Sequence, residues 1–242
     1  MKRLAAIAIG FGALVFAGAA FSYSHVIWLS TIEYSDFNNI SGNIYIDPKL
    51  EKPEYEQTLV LLNESKERIR YKYGDFTAMP VIVITGTSDN SRKFGLGVFP
   101  AKAFAAPWEQ YIVINHQALD IDLLAHELMH AQMREILGYW AYQTKIPTWF
   151  DEGIAMQVDL RERYKVDYKL FTQRELNRAK TLTSPGKFWT ISKEQDIENY
   201  RAAKAAVQKL LAEYSPKELY SMLLRIRQGE KFGSVFTPKT RS

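Results

Sequence analysis

The chain has 242 residues, of which 47% are hydrophobic, and its formal net charge is +4. This length is enough for one well-formed core. Because the chain contains no cysteine, disulfides and thiolate chemistry are excluded, and any metal site has to use histidine and carboxylate ligands. The small excess of positive charge is spread along the chain, so the charge pattern does not indicate nucleic-acid binding.

The first 23 residues predict a signal anchor or a signal peptide. Two basic residues precede an apolar run from Leu4 to Phe21, which is typical of both. Apolar character resumes at 26–29, which favours an uncleaved anchor. We therefore expect a single-pass protein of the cell membrane whose remaining chain faces the periplasmic side, or a secreted protein if the segment is cleaved. Residues 24–40 are expected to form a juxtamembrane linker.

One domain is expected over residues 41–236, followed by a flexible tail over residues 237–242. Its N-terminal part predicts short strands and a long amphipathic helix. These elements are a strand at Asn43–Ile46, a helix at Pro53–Tyr73, and buried strands at Val81–Thr85 and Tyr111–Asn115. The segment between the last two strands is rich in glycine and proline, so it predicts a loop or an irregular hairpin.

The next segment, Ile121 to Leu137, is predicted to be a helix. Asp120 can cap its start, no proline or glycine interrupts it, and Gly138 is placed to end it. An acid in the first turn, Asp122, is favourably placed beside the positive end of the helix dipole.

This helix carries two histidines at ligand spacing. His126 and His130 stand four residues apart, so their Cβ atoms lie on one helix face at a separation of roughly 5–6 Å. Both imidazoles can therefore bind one zinc ion, and Glu127 can take a proton from a water molecule beside the metal. The run has the H-E-x-x-H pattern of zinc metalloproteases.

A zinc ion held by two histidines needs a third protein ligand. A second helix is predicted from Thr148, just after Pro147, to about Tyr164, with Thr148 and Asp151 placed as a capping box. Gly153 would let this helix approach its neighbour closely. The candidates for the third ligand on this segment are Asp151, Glu152 and Asp159, and the residues alone do not choose between them.

These motifs resemble those of the gluzincin zinc metallopeptidases. The pair consists of His126-Glu127-x-x-His130 and, 22 residues after His130, the Glu152 of Trp149-Phe150-Asp151-Glu152-Gly153-Ile154-Ala155. The pair is similar to small bacterial peptidase-MA-like domains and, more distantly, to the catalytic domain of aminopeptidase N. The resemblance implies that His126, His130 and Glu152 bind one zinc ion per chain and that Glu127 is the general base. It also implies an α+β, zincin-like fold in which a small sheet packs on the active-site helix and the C-terminal half is mainly helical.

The same resemblance implies a tyrosine that donates a hydrogen bond to the oxyanion of the tetrahedral intermediate. Such a donor lowers the reaction barrier because it stabilises negative charge that develops only in the transition state. Tyr200, just before a predicted helical stretch at Ala205–Tyr214, stands where the pattern would place it. The alternatives among the other tyrosines are Tyr142, Tyr164 and Tyr214.

Two departures from the family shape the predicted function. The chain lacks the Gly-Ala-Met-Glu-Asn run with which the aminopeptidases hold a free amino group, so we expect an endopeptidase. Met156 stands where thermolysin-like members have an aspartate that steadies a zinc-binding histidine.

We also expect the strand at Tyr111–Asn115 to pair with an extended peptide substrate. The sequence thus predicts a zinc-dependent endopeptidase that acts on peptides or proteins and has no nucleic-acid partner.

Two other functions stay open at this stage. A non-catalytic relative could keep the zinc ion for stability or for binding a partner, although Glu127 would have no use in a purely structural site. A hydrolase acting on a non-peptide amide, such as a cell-wall bond, would use the same residues.

Overall fold

The computed structural model describes residues 24–236, and its architecture is α+β with a five-stranded mixed sheet. The described chain divides into two compact units. The first contains residues 24–50 and 81–117, and the second contains residues 51–80 and 118–236. The predicted tail at 237–242 lies outside the described residues, and the predicted domain limits of 41 and 236 stay a prediction.

The helices and strands have the following bounds. The strands are β1 (Asn38–Ser41), β2 (Ile44–Ile46), β3 (Val81–Thr85), β4 (Ala101–Ala105) and β5 (Gln110–Asn115). The α-helices are α1 (Ser24–Ser30), α2 (Lys52–Tyr73), α3 (Ser88–Lys93), α4 (Ile121–Leu137), α5 (Tyr139–Lys145), α6 (Thr148–Ala155), α7 (Gln173–Ala179), α8 (Pro185–Phe188), α9 (Lys193–Leu211), α10 (Pro216–Arg227) and α11 (Phe232–Val235). Short 3₁₀ helices cover Ile32–Tyr34, His116–Ala118, Glu162–Tyr164 and Tyr168–Leu170.

The first unit is built on the sheet, whose strand order is β1-β2-β3-β5-β4. Strands β2, β3 and β5 are parallel, and β1 and β4 pair with their neighbours in the antiparallel direction. The predicted strands at β3 and β5 are confirmed, and they are buried apolar runs because both lie inside the sheet.

Strand β5 is not at an edge of the sheet. Val113 faces Val83 of β3 on one side and Lys102 of β4 on the other. Both backbone edges of β5 are therefore used within the sheet, and the expectation that Tyr111–Asn115 pairs with a substrate is wrong. Residues 101–105, part of the segment predicted as a loop or an irregular hairpin, form β4 and occupy the second edge of β5.

No helix in residues 24–236 has both the length and the apolar character that crossing a membrane requires. The predicted single-pass localisation in the cell membrane is contradicted by this finding. Residues 26–29, interpreted as renewed anchor character, lie in the seven-residue helix α1, and Leu29 packs with Ile32 and Phe37 in the core of the first unit. The anchor prediction itself falls on residues 1–23, which lie outside the described residues.

The second unit is helical, and α4 is its central helix. The predicted bounds of α4 are confirmed: the Asp120 side chain accepts a hydrogen bond from the Leu123 N–H at 2.7 Å, and Gly138 ends the helix with φ of 72°. Almost every side chain from Leu123 to Arg134 is buried, because α2, α6 and α10 pack around this helix. A helix buried on all sides positions its polar side chains firmly.

Helix α6 ends earlier than the sequence predicts. It stops at Ala155 instead of continuing to about Tyr164, and the N–H groups of Gln157 and Val158 donate to carbonyls three residues back, as in a 3₁₀ turn. The Gln157 side chain fixes this end by donating to the carbonyls of Gly153 and Lys204 at 2.8 and 3.0 Å. Asp159 therefore lies outside the helix.

The start of α6 is also held differently from the prediction. No side chain caps it, so the expected capping box of Thr148 and Asp151 is not formed. The backbone carbonyls of Thr183 and Leu182 instead accept the N–H groups of Thr148 and Trp149. The Asp151 carboxylate therefore makes no capping hydrogen bond at the start of α6.

Helices α6 and α9 approach closely at Gly153, as the sequence predicted. A Cβ atom on Gly153 would lie 2.5 Å from Val207 Cγ2 and 2.6 Å from the Ala203 carbonyl oxygen. The latter atom belongs to a helix backbone and has little freedom to move.

We predict that Gly153→Ala lowers the free energy of unfolding by about 1–3 kcal/mol, because it overpacks this contact. Urea denaturation of metal-free protein measures the change. The control is Gly233→Ala, a helical glycine whose added Cβ would meet nothing within 4 Å, and it should change stability by less than about 0.5 kcal/mol. Equal effects of the two substitutions would contradict the close-packing argument.

Candidate metal centre

Three predicted ligands meet inside the second unit. His126 and His130 on α4 and Glu152 on α6 each offer a ligand atom, and these atoms all lie within 4.8 Å of one another. The three residues are 6%, 8% and 4% exposed, so their polar atoms are largely removed from bulk water. They could together hold a metal ion.

The distances between these atoms fit a single small cation. The two Nε2 atoms are 3.1 Å apart, and the Glu152 carboxylate oxygens lie 3.4 Å from His126 Nε2 and 3.7 Å from His130 Nε2. Ligands at about 2.0–2.2 Å from one tetrahedral zinc ion would be separated by roughly 3.3–3.6 Å. Glu152 Oε2 is also buried without a hydrogen-bond partner among the described residues. The donor set therefore fits a divalent cation.

The Asp151 carboxylate lies next to the His130 imidazole, on its Nδ1 side. Its Nδ1 atom lies 3.1 Å from Asp151 Oδ2, although the pair is not aligned as a hydrogen bond. The Tyr142 hydroxyl donates to the same oxygen at 2.7 Å, which holds the carboxylate in place. Burial lowers the pKa of the His130 imidazole, but the carboxylates of Asp151 and Glu152 raise it more, to about 10.

The Asp159 carboxylate lies on the Nδ1 side of the His126 imidazole. Its Nδ1 atom lies 3.9 Å from Asp159 Oδ2, and the Asp159 side chain is fully buried. The Arg161 guanidinium forms an ion pair with both oxygens of this carboxylate. Burial alone would raise the pKa of the Asp159 carboxyl, but the hydrogen bonds and the charge of Arg161 lower it below its ordinary value. Asp159 is therefore ionised beside the histidine.

The segment that carries Asp159 is fixed by its backbone. Lys204 Nζ on α9 donates to the Asp159 carbonyl at 2.7 Å. Arg68 on α2 donates to the Val158 carbonyl at 2.9 Å, and Asp122 accepts the N–H of Leu160 at 3.0 Å. Side chains of three helices thus hold this irregular segment where Asp159 meets His126.

The two proposed catalytic side chains lie beside the ligands. Glu127 is 8% exposed, and its carboxylate acts on the pKa of both His130 and Tyr200. Tyr200 lies inside α9, and not at the start of a helix as expected, because α9 begins at Lys193. The Tyr200 ring contacts the His126 ring with centroids 6.3 Å apart.

The alternative tyrosines have other partners. The Tyr142 hydroxyl donates a hydrogen bond to Asp151. Tyr164 packs against the Tyr200 ring, and Tyr214 packs against Phe236. Of these four, Tyr200 is the tyrosine whose ring contacts a ligand histidine.

Sequence reasoning did not assign the residues behind the histidines. From the sequence, Asp151 is a candidate for a metal ligand and for the capping box of α6, Asp159 is a candidate ligand, and no local pattern points to Arg161 or Lys204. The acidic run around Glu152 was a signal for Asp151, but Asp159 could not be placed because its position depends on where α6 ends.

Comparisons of the chain with protein-family models, with curated proteins and with solved structures give no match.

We predict that Asp159→Asn weakens zinc binding by about 10- to 100-fold, the usual effect of losing a carboxylate behind a histidine ligand. Competition with a fluorescent chelator measures the affinity. The control Glu162→Gln neutralises an exposed carboxylate close by in the chain and should leave the affinity unchanged. A folded Asp159→Asn variant with parental affinity would contradict the role of Asp159.

We also predict that zinc affinity rises with pH, by about tenfold per pH unit between pH 7 and 8.5. Metal binding requires neutral imidazole, and His130 with a pKa of about 10 is protonated over this range in metal-free protein, so each zinc ion displaces one proton. Asp151→Asn removes one of the charges that raise this pKa, so the same titration should become flatter. A parent whose affinity does not change with pH would contradict the proton displacement.

Proposed function

We propose that the chain is a zinc-dependent metallopeptidase of gluzincin type, with a zincin-like arrangement around α4, and that it acts as an endopeptidase. The observation that carries the proposal is the buried group of His126, His130 and Glu152, with its ligand atoms at the spacing of one tetrahedral ion. The motif resemblance supports the same assignment.

The donor set favours zinc over Ca²⁺ and Mg²⁺. Two imidazoles and a carboxylate suit zinc, whereas Ca²⁺ and Mg²⁺ prefer oxygen ligands alone. Three protein ligands leave a fourth tetrahedral position open, as in catalytic zinc sites. The carboxylates of Asp151 and Asp159 behind the two imidazoles support the set, because such partners orient the rings and raise ligand basicity.

A zinc ion bound by these residues would polarise the scissile carbonyl and make an attacking water more acidic. In this mechanism Glu127 would accept a proton from that water and return it to the leaving amine. Tyr200 would donate a hydrogen bond to the carbonyl oxygen as negative charge develops there. Burial and the Glu152 carboxylate raise the pKa of Tyr200 well above its ordinary value, so the phenol keeps its proton at neutral pH.

An endopeptidase remains the proposal because the run that holds a free amino group in the aminopeptidases is missing. The peptide itself is not expected to pair with β5, whose two edges are used within the sheet.

The test compares zinc content and hydrolysis in the full-length parent and two variants. We predict about one zinc ion per chain in the parent and in Glu127→Gln, and a marked loss of zinc in Glu152→Ala. Hydrolysis of fluorescein-labelled casein should fall by about 10²- to 10⁴-fold in Glu127→Gln, because this change removes only the base. Atomic absorption and fluorescence release measure the two quantities.

The control Glu213→Ala removes an exposed acid and should leave both quantities unchanged. A folded parent that takes up no zinc would overturn the proposal. Zinc binding without hydrolysis of casein or of cell-wall fragments would favour a non-catalytic relative, and hydrolysis of cell-wall fragments alone would redirect the proposal to another amide.

A further inference from the structure

Tyr200 makes a hydrogen bond whose direction is fixed by chemistry. Trp189 Nε1 lies 2.9 Å from the Tyr200 hydroxyl oxygen. An indole N–H can only donate, so the phenol oxygen is the acceptor. The hydroxyl proton of Tyr200 must therefore be directed to a different acceptor.

The surroundings of Tyr200 restrict where its ring can lie. The rings of Phe188 and Tyr164 contact it with centroids 5.0 and 5.5 Å away, and His126 contacts it on the side of the metal centre. The carboxylates of Glu152 and Glu127 are close enough to act on its hydroxyl. Tyr200 thus contacts Trp189 through its hydroxyl oxygen and His126 of the candidate metal centre through its ring.

Trp189 is held to the helix that carries Tyr200. The Asn199 side chain on α9 donates to the carbonyl of Phe188 at 2.7 Å and accepts from Gln195 at 3.0 Å. On the other side of Trp189, the N–H of Thr190 donates to Asp196 at 2.7 Å. Both chain neighbours of Trp189 are therefore tied to α9, although its own side chain is 38% exposed.

We propose that Trp189 is a positioning residue for Tyr200: its N–H occupies one lone pair of the phenol oxygen, so that the phenol proton serves a second acceptor, the carbonyl oxygen of a bound peptide. This inference rests on the proposed peptidase function and deepens it. An accepted hydrogen bond also makes a hydroxyl a stronger donor, because hydrogen bonds in a chain polarise one another. The effect is greatest in the transition state, where the carbonyl oxygen becomes negative.

A double-mutant cycle on the full-length, zinc-loaded protein tests the inference. Trp189→Phe keeps an aromatic ring and removes the N–H. We expect it to lower kcat for casein by about three- to tenfold with little change in KM, the effect of one hydrogen bond. In a Tyr200→Phe background the same substitution should change kcat by less than about twofold, because the acceptor is already absent.

The control Trp140→Phe makes the same substitution at a tryptophan that is 72% exposed, and kcat should not change. Equal losses from Trp189→Phe in both backgrounds would show that Trp189 only supports packing and would overturn the inference. No loss in either background would overturn it as well.

A second readout separates this inference from the proposed function. The indole Nε1–H resonance of Trp189 in ¹H–¹⁵N spectra should move upfield in Tyr200→Phe, and Trp189→Phe identifies that resonance by its absence. An unchanged resonance overturns the inference while leaving the peptidase function in place. If the parent binds zinc but cleaves no peptide, the proposed function fails and takes the role of Trp189 with it, even where the resonance shows that the hydrogen bond exists.

Discussion

The second unit depends on the accommodation of four carboxylates, three of them buried and Asp151 half-buried, around two imidazoles. These acids are Glu127, Asp151, Glu152 and Asp159. Charge that is removed from water costs several kcal/mol per ion unless it is paired, and the Arg161 guanidinium compensates only Asp159. In metal-free protein the remaining compensation comes from protonated His130, whose raised pKa stabilises the fold fully below pH 6.5 and progressively less as the pH rises through about 10. A bound divalent cation would supply this charge in place of the proton on His130.

The early end of α6 brings the fourth carboxylate, Asp159, into this cluster. A regular helix beyond Ala155 would carry Asp159 along the helix surface, whereas the turn after α6 brings it to His126. Ending a helix inside a core leaves carbonyl groups without partners. Here the Gln157 side chain donates to the Gly153 carbonyl at the end of α6. In the turn that follows, Lys204 donates to the carbonyl of Asp159 and Arg68 to that of Val158. Lys204, which is buried, and Arg68, which is half-buried, thus bind backbone carbonyls and fix the segment that carries Asp159 beside the candidate metal centre.

The parts of this arrangement that local rules control could be predicted from the sequence. Capping by Asp120 and Gly138 fixed the bounds of α4, and helical spacing placed His126 next to His130. A feature decided by a distant partner could not be predicted: the end of α6 follows from the bond of Gln157 to the Lys204 carbonyl. The segment before β5 was predicted as a loop or an irregular hairpin, and the antiparallel pairing of β4 with β5 decides for the hairpin. Asp151 was expected to cap α6, but backbone carbonyls took that role and left its carboxylate for His130.

The partners of the two tyrosines near the centre distinguish their chemistry. The Tyr142 hydroxyl donates its hydrogen bond to the Asp151 carboxylate. Trp189 can only donate, so Tyr200 keeps its proton for another acceptor. Two identical side chains are thereby assigned opposite hydrogen-bond roles: Tyr142 fixes the carboxylate behind His130, and Tyr200 retains a donor beside His126. Under the proposed mechanism only Tyr200 can donate a hydrogen bond to the negative charge that develops during the reaction. Tyr142 would first have to break its hydrogen bond to the Asp151 carboxylate.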